Sequence, residues 1–124
     1  MLKTDLLTVM RAVTEERLSE IKVEFSNQNA ACIVIASKGY PSAYQKGFPI
    51  TVPQSVLPHV YFAGAAEKDG QLVTSGGRVL GVTAVADTLE AALHDAYEMA
   101  GKISFEGAWY RRDIGARALA WKEK

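Results

Sequence analysis

The sequence is poor in cysteine and histidine, and this scarcity excludes several kinds of site. It contains one cysteine and two histidines among 124 residues. The lone thiol of Cys32 cannot form an internal disulfide or a cysteine-rich zinc site, and such sparing use of cysteine fits a reducing cytoplasm. His59 and His94 are far apart in the chain. We therefore expect neither a disulfide nor a bound metal ion.

Net charge and long apolar runs are also lacking. The 14 lysine and arginine residues balance 14 aspartate and glutamate residues, so no overall field attracts nucleic acid or an anionic membrane surface. No stretch approaches the roughly 20 apolar residues that cross a bilayer, and the start of the chain does not resemble a signal peptide. We expect a single cytoplasmic domain, residues 1–124, that binds neither nucleic acid nor membrane.

Catalytic constellations are a third absence. The sequence shows no nucleophile with its base, no paired carboxylates on one helix face, no cluster of metal ligands and no phosphate-binding loop. The residues alone therefore predict an α+β domain with a mostly antiparallel sheet, one N-terminal helix and one long helix packed on the sheet. Any chemistry they carry is confined to a local anion site.

The first helix signal lies next to the N-terminus. Thr4 or Asp5 can cap a helix, and the apolar residues that follow share one side of it, so this face needs a partner elsewhere in the fold. A helix so close to Met1 also suggests that the natural chain continues upstream. The residues of this face are Leu6, Leu7, Met10, Val13 and Arg17.

The second helix is the most strongly patterned element of the chain. Asp87 or Thr88 is its cap, and Glu90 reaches back in a capping-box arrangement. Apolar residues at helical spacing then predict a stripe that packs on the sheet. They are Leu89, Ala92, Leu93, Ala96, Tyr97, Ala100 and Ile103.

Two strands are predicted between these helices as a hairpin at the centre of the sheet. Ile21–Phe25 alternates apolar and charged residues, which indicates a strand with one wet face, and Asn27–Asn29 supplies a turn. Ala31–Ala36 has no charge, which favours a strand buried on both faces. We interpret Cys32, within that strand, as a small core side chain rather than a nucleophile.

The segment Ser37–Pro58 is too rich in proline and glycine for a long regular element, although Ile50–Val52 could form a short strand. Two interpretations stay open. The segment is either a surface loop pinned by aromatic side chains beneath it, or a lid whose lysines help to hold an anion. The aromatic residues are Tyr40, Tyr44 and Phe48, and the lysines are Lys38 and Lys46.

Strand signals return after this loop. Val60–Gly64 reads as a strand, and the Asp-Gly pair in Lys68–Gly70 predicts a tight hairpin into a strand at Gln71–Thr74. A Gly-Gly bend then leads into the apolar strand Val79–Val85. We expect this bend to join two neighbouring strands.

The bend carries the first candidate site. Gly76 and Gly77 allow positive φ and close backbone approach, and Arg78 follows at the start of the next strand. An arginine there can present a bidentate fork to a carboxylate or phosphate, assisted by the exposed amides of the glycines. The alternative is an ordinary hairpin bend with an arginine that faces solvent.

The tail carries the second candidate. Arg111 and Arg112 stand beside Trp109 and Tyr110, which suits either a stacking platform for a nucleobase or a cation–π arrangement that stabilises the end of the chain. Asp113 next to the arginines predicts that their charge is partly neutralised in place.

Four stretches, in this order and at these spacings, resemble the C-terminal domain of the phosphoribosylamine–glycine ligase family, also called glycinamide ribonucleotide synthetase. The resemblance covers nearly the whole chain. The stretches are ASKGYP at Ala36–Pro41, KGFPIT at Lys46–Thr51, SGGRVLGVTAVADTL at Ser75–Leu89 and ISFEGAWYRRDIGARAL at Ile103–Leu119.

The resemblance implies the barrel-sandwich or rudiment single hybrid type of domain that closes the cleft of an ATP-grasp enzyme. Such a ligase uses ATP and magnesium, bound by preceding domains of the same chain, to join glycine to phosphoribosylamine in purine biosynthesis. The fragment alone is then expected to bind no cofactor and to be inactive. By this match Arg78, with Gly76 and Gly77, is the first candidate for contact with an anionic substrate, and Arg111, Arg112 and Asp113 are the second.

The sequence departs from the usual family pattern at four positions. Ser42 replaces a common glycine, Phe62 a common histidine, Ala65 a common threonine and Ser75 a frequent asparagine. Any role that this histidine has in the family is therefore not expected of Phe62 in this chain. Two alternatives stay open, namely a free-standing binding module and the closing domain of a related ATP-grasp carboxylase.

Overall fold

The computed structural model describes residues 1–122 and has the α+β architecture with antiparallel sheets that the sequence predicts. The last two residues of the expected 1–124 domain lie outside this range. The elements are α1 Leu6–Thr14, β1 Asn29–Ser37, β2 Val60–Phe62, β3 Ala65–Lys68, β4 Gln71–Thr74, β5 Arg78–Ala86, α2 Leu89–Ala100, β6 Ala108–Trp109 and α3 Ala116–Lys122, with short 3-10 turns at Leu18–Glu20 and Leu57–His59.

A four-stranded antiparallel sheet in the order β2-β5-β1-β6 forms the body of the fold. β1 and β5 pair from Asn29 opposite Ala86 to Ala36 opposite Arg78, with a bulge between Ile35 and Ala36. Helix α2 covers one face of this sheet, and we call the opposite one the open face. β3 and β4 form a separate two-stranded sheet.

The core lies between α2 and the sheet. Small side chains on α2 allow the helix to approach the strands closely, and branched side chains of β1 and β5 fill the remaining space. Full burial of each such branched side chain stabilises the fold by about 1.5–3 kcal/mol relative to leaving it exposed to water. The buried residues include Ala92, Leu93, Ala96 and Ala100 from α2, Ile33 and Ile35 from β1, and Leu80, Val82 and Ala84 from β5.

Helix α2 confirms the predicted apolar stripe. Its cap is Thr88 rather than Asp87, because the Thr88 side chain accepts a hydrogen bond from the Ala91 amide at 3.1 Å. This bond satisfies one of the amides that a helix leaves open at its start.

The prediction that β1 is buried on both faces is wrong. Ala31, Ile33 and Ile35 point into the core, while Cys32 and Val34 are exposed on the open face. An apolar strand is buried on both sides only where a second layer covers it, and the described residues place α2 on one side alone. The interpretation of Cys32 as a core side chain is therefore also wrong.

The predicted strand Ile21–Phe25 and its hairpin with β1 are absent from the described residues. This segment is extended, but it makes a single bridge, between Phe25 and Leu2, and backbone bonds back to the first residues of the chain. β1 instead pairs with β5, which matches all but the last of its nine residues. Tertiary pairing overrides the local alternation of the segment.

Helix α1 forms as predicted, with the Asp5 carboxylate accepting from the Thr8 amide at 2.8 Å. The partner expected for its apolar face is missing within residues 1–122. Met10 is 57% exposed and Ala12 is the one buried residue of the helix.

Two local predictions have opposite outcomes. The Asp-Gly hairpin is confirmed, since Asp69 and Gly70 have φ of 52° and 75° between β3 and β4, the signs of a type I′ turn. Ile50–Val52 is not a strand, because the segment has only isolated bridges at Pro49 and Thr51.

The sequence reasoning also missed α3 at the end of the chain. No helix in residues 1–122 is long and apolar enough to cross a membrane.

Candidate functional site

The Gly-Gly segment is a crossing between two sheets, not a hairpin bend. β4 pairs with β3 in the small sheet, whereas β5 lies in the four-stranded sheet. The predicted pairing of β4 with β5 is therefore wrong. The nine-residue β5 finds a much longer partner in β1 than the four-residue β4 could offer.

The glycines serve close backbone approach rather than positive φ, which neither Gly76 nor Gly77 has. Gly64 donates its amide to the Arg78 carbonyl at 2.8 Å and accepts from the amides of Ser75 and Gly76 at 2.8 and 3.0 Å. A Cβ on Gly64 would lie 2.6 Å from the Arg78 carbonyl oxygen and 2.7 Å from the Gly76 Cα. The backbone before Arg78 is therefore locked against a second strand end.

Ser37 fixes the same segment from the side of β1. Its amide donates to the Gly77 carbonyl at 2.8 Å, and its hydroxyl donates to the Gly76 carbonyl at 3.1 Å. The Gly76 amide already donates to the Gly64 carbonyl at 3.0 Å, so an anion would compete with that bond for this amide.

The Tyr40 ring packs directly against the Gly77 backbone at this crossing. A Cβ on Gly77 would lie 2.0 Å from Cδ2 of Tyr40, so the ring occupies the place that a side chain at residue 77 would need. Tyr44 packs edge-on against the Tyr40 ring at a centroid distance of 6.0 Å. The aromatic pair thus seats the proline-rich loop directly on the backbone that leads into Arg78.

The Arg78 side chain is exposed and makes no hydrogen bond or ion pair with any residue of the described chain. It stands at the wall of an open cleft of about 560 Å³. An arginine fork without an internal partner keeps its donors for a ligand. The other residues that line the cleft are Val34, Tyr40, Tyr61, Phe62, Ala63, Gly64, Gly77, Leu80 and Gly81.

The tail arginines are engaged instead with their neighbours. Nε of Arg111 donates to Oδ1 of Asp113 at 2.8 Å, and a terminal nitrogen donates to Oδ2 at 2.6 Å. This bidentate pair lowers the pKa of the Asp113 carboxyl and raises the pKa of Arg111. The predicted neutralisation is therefore confirmed for Arg111.

Arg112 lies with its guanidinium carbon 4.4 Å from the centroid of the Tyr110 ring. The Tyr97 hydroxyl, on α2, donates to the Arg111 carbonyl at 3.0 Å and accepts from the Ile114 amide at 2.9 Å. This geometry matches the cation–π interpretation of the tail, with α2 as its anchor.

Arg78 and the tail lie on one face but not in one pocket. Ala36 pairs with Arg78 on one side and with Trp109 on the other. Residues opposite each other in an antiparallel ladder point to the same face, so Trp109 lies beside Arg78 with backbones about 10 Å apart. Tyr40 lines both the Arg78 cleft and a smaller cleft that Trp109 also lines. Trp109 in turn lines a third cleft, together with residues 110–113.

The loop residues favour the first of the two interpretations of Ser37–Pro58. Thr74 of β4 is buried, and its hydroxyl and backbone bind the amides of Phe48 and Gly47 at 3.1 and 2.7 Å. Lys46 lies 5.8 Å from the centroid of the Tyr44 ring. Aromatic packing and these bonds pin the loop.

The described residues offer no set of ligands for a metal ion. Across residues 1–122, no three His, Cys, Asp or Glu side chains lie close enough to hold a metal ion. His94 is exposed, with Nδ1 3.2 Å from the Asp95 carboxylate.

Sequence reasoning missed the frame that holds Arg78. Ser37, Tyr40 and Gly64 lie 12 or more residues before Gly76 along the chain, and tertiary structure brings them to Gly76 and Gly77. The one signal available was Gly64 itself, a glycine at the end of a strand where no turn was required.

Residues 30–117 match the family described as phosphoribosylglycinamide synthetase, C domain. The phosphoribosylamine–glycine ligase of Caldanaerobacter subterraneus subsp. tengcongensis is 47% identical over an alignment that covers 94% of this chain and 28% of the relative. The trifunctional purine biosynthetic protein adenosine-3 of Homo sapiens is 42% identical, with 100% of this chain and 13% of that protein covered.

A solved structure is also similar. The crystal structure of phosphoribosylamine–glycine ligase from Thermotoga maritima superposes with a TM-score of 0.70 at 44% identity, covering 84% of this chain and 27% of that one. The chain spans less than a third of the length of each of these relatives.

Proposed function

This chain belongs to the family of phosphoribosylglycinamide synthetase C domains, and from that premise we propose that it acts as the C-terminal domain of a cytoplasmic phosphoribosylamine–glycine ligase. The ligase joins glycine to phosphoribosylamine at the expense of ATP, in purine biosynthesis. The residues 1–124 form one domain that closes one side of a cleft shared with preceding ATP-grasp domains. The observation that supports this assignment is 47% identity to such a ligase over 94% of the chain.

The chemistry of such a ligase builds negative charge on oxygen atoms twice. A glycine carboxylate oxygen takes the γ-phosphoryl group of ATP, which forms an acyl phosphate and releases ADP. The amine of phosphoribosylamine then attacks the acyl carbon, a C–N bond replaces the C–O bond to phosphate, and the amine loses a proton. Guanidinium groups that are already in place stabilise such charge without reorganisation.

Arg78 is the residue that we assign to this charge. Arg78 lines an open cleft, its guanidinium has no internal partner in residues 1–122, and the backbone that carries it is locked by Gly64 and Gly77. A rigid base is what an electrostatic contact needs, because a donor that must reorganise loses part of its effect. Phe62, at the family's histidine position, gives this cleft an apolar wall.

The tail takes the second place in the proposed site. Trp109 continues the face on which Arg78 lies, and Arg111, Arg112 and Asp113 line the next cleft. Because Arg111 is already paired with Asp113, we assign these residues to shaping the rim, with Arg112 as the more available charge.

ATP and magnesium are assigned to the domains that precede this one. The residues of this chain do not fit a magnesium site, since no three potential ligands cluster within residues 1–122. We therefore expect the 124-residue chain alone to fold and to make no glycinamide ribonucleotide.

The test is the substitution Arg78→Ala in a ligase that carries this domain. Loss of a charge-assisted hydrogen bond of about 1–3 kcal/mol lowers kcat/KM by roughly 5- to 150-fold with unchanged thermal unfolding. Steady-state kinetics with each substrate varied in turn identify the contact. The matched control is Arg117→Ala, which removes an exposed arginine on α3 that lines none of the clefts described above.

Unchanged kinetics of Arg78→Ala would remove Arg78 from the site. Turnover of ATP, glycine and phosphoribosylamine by the purified 124-residue chain would contradict the assignment of ATP and magnesium to other domains.

A further inference from the structure

The first 26 residues form a small unit outside the main core. The Lys3 amide donates to the Glu24 carbonyl at 2.8 Å, and the Ser26 amide donates to the Met1 carbonyl at 2.6 Å. The Thr4 hydroxyl accepts from the Glu24 amide at 2.7 Å. No residue before Ala31 belongs to the core between α2 and the sheet, so this unit is held mainly by its own bonds.

The unit exposes an unusual amount of apolar surface. Half of the large apolar side chains that are exposed in residues 1–122 lie within the first 25 residues. Helix α1 presents four of them on one face, which we call the α1 face: Leu6, Leu7, Met10 and Val13, exposed by 60%, 65%, 57% and 55%.

Such a face is not an ordinary solvated helix surface. Leu6, Met10 and Val13 follow the i, i+4, i+7 spacing by which a helix packs against a partner. At about 25 cal/mol per Å² of apolar area, leaving three or four such side chains in water forgoes several kcal/mol. Contiguous apolar patches on a domain surface mark places where something docks.

The relatives indicate what docks there. Alignments with them cover 94% to 100% of this chain, so they include most or all of α1, whereas the family match begins only at residue 30. The α1 face therefore belongs to the shared sequence but lies before the C domain proper. The relatives named phosphoribosylamine–glycine ligase are more than three times longer than this chain, so most of each such ligase lies outside the matched stretch.

We propose that the α1 face docks on the part of a phosphoribosylamine–glycine ligase that precedes its C domain. This proposal rests on the proposed function. The face joins the C domain to its neighbour rigidly, so that Arg78 keeps its place opposite substrates held by the preceding domains.

The size of the face favours a tethered neighbour over a second copy of this chain. Nine helical residues make a strip about 14 Å long and about 10 Å wide. A stable dimer buries about 800 Å² of accessible surface per partner, which is more than the four side chains of the α1 face expose. A tethered neighbour needs less area, because the linker holds it at an effective concentration in the millimolar range.

Hydrogen exchange tests the proposal directly. The amides of residues 6–14 are compared in the 124-residue chain and in the ligase that carries it. We expect exchange to be slowed by about tenfold or more in the ligase, because docking holds the helix closed. Equal exchange in the two proteins would overturn the proposal.

The double substitution Leu7→Glu with Met10→Glu is the matched perturbation. It should remove the slowing of exchange in the ligase and leave the unfolding of the 124-residue chain nearly unchanged, because both side chains are exposed there. The control Leu57→Glu changes an exposed leucine outside the unit and should leave the slowing intact. Slowing that survives the double substitution would contradict docking through this face.

Two further outcomes separate the competing explanations. If exchange of residues 6–14 slows in the isolated chain as its concentration rises, the occupant is a second copy and the proposal fails. If α1 is protected in the ligase while Arg78→Ala leaves the kinetics unchanged, the docking stands and the assigned role of Arg78 fails.

Discussion

Arg78 and the arginines of the tail carry the same functional group in opposite situations. The Arg78 guanidinium has no partner within residues 1–122 and rises from a backbone in tight contact with Gly64. Arg111 is held by Asp113, and Arg112 lies over Tyr110. One region has a rigid backbone and an uncommitted side chain, and the other has committed side chains on an exposed segment.

The difference shows what distinguishes a candidate binding arginine from a structural one. A side chain that is already bonded must break that contact before it can bind a ligand, which subtracts from the gain. An uncommitted side chain avoids that loss, but it binds well only if its base does not move. Arg78 meets both conditions, whereas Arg111 fails the first because its side chain is already paired with Asp113.

The largest expected effect comes from breaking the rigid frame at Gly77→Ala. The new methyl group would overlap the Tyr40 ring, so we expect a loss of about 1–3 kcal/mol in the free energy of unfolding. In a Tyr40→Ala background the same change should cost clearly less, since the ring is gone. Urea unfolding of the four proteins of this cycle measures the coupling.

Additive losses in that cycle would show that Tyr40 does not occupy the space above Gly77. The contrast between Arg78 and the tail arginines would then lose its basis, because the proline-rich loop would not hold the backbone that leads into Arg78.

A smaller effect is expected from Arg112→Ala. Removing an exposed cation–π contact should lower the free energy of unfolding by about 0.5–1 kcal/mol. The fall in kcat/KM of the ligase should be smaller than that of Arg78→Ala. Thermal unfolding and steady-state kinetics of both variants, measured side by side, check this order.

A fall in kcat/KM as large as that of Arg78→Ala, with intact folding, would break the comparison and make Arg112 a direct substrate contact.

The smallest effect is the pH dependence of the Arg111–Asp113 pair. The pKa of Asp113 is lowered from 3.8, first of all by the hydrogen bond from Arg111. A carboxyl with a lower pKa in the folded state stabilises the fold above its ordinary pKa, and this contribution is lost as the pH falls below 3.8. Both side chains are exposed, so the change in stability is small.

An NMR titration of the Asp113 carboxyl measures this directly. Arg111→Gln should move its pKa back up toward 3.8, and an unchanged titration would show that the pair does not persist in solution.

Much of the fold could be read from local pattern. The cap and apolar stripe of α2, the Asp-Gly turn between β3 and β4, and the start of α1 at Asp5 depend on neighbours a few residues apart. Such elements follow from backbone geometry and side-chain spacing, which are local quantities. The four motifs between Ala36 and Leu119 likewise predicted the family to which the chain belongs.

Tertiary structure decided the rest, because strand partners are chosen by contacts between distant segments. The alternating residues of Ile21–Phe25 permit a strand, but β1 pairs with β5, across more than 40 residues of chain. That choice exposes Cys32, carries Gly76 and Gly77 from one sheet to the other, and sets Tyr40 and Ser37 against them. The sequence by itself supplied the arginine and its glycines, and the pairing of β1 with β5 set the backbone from which Arg78 extends without a partner in residues 1–122.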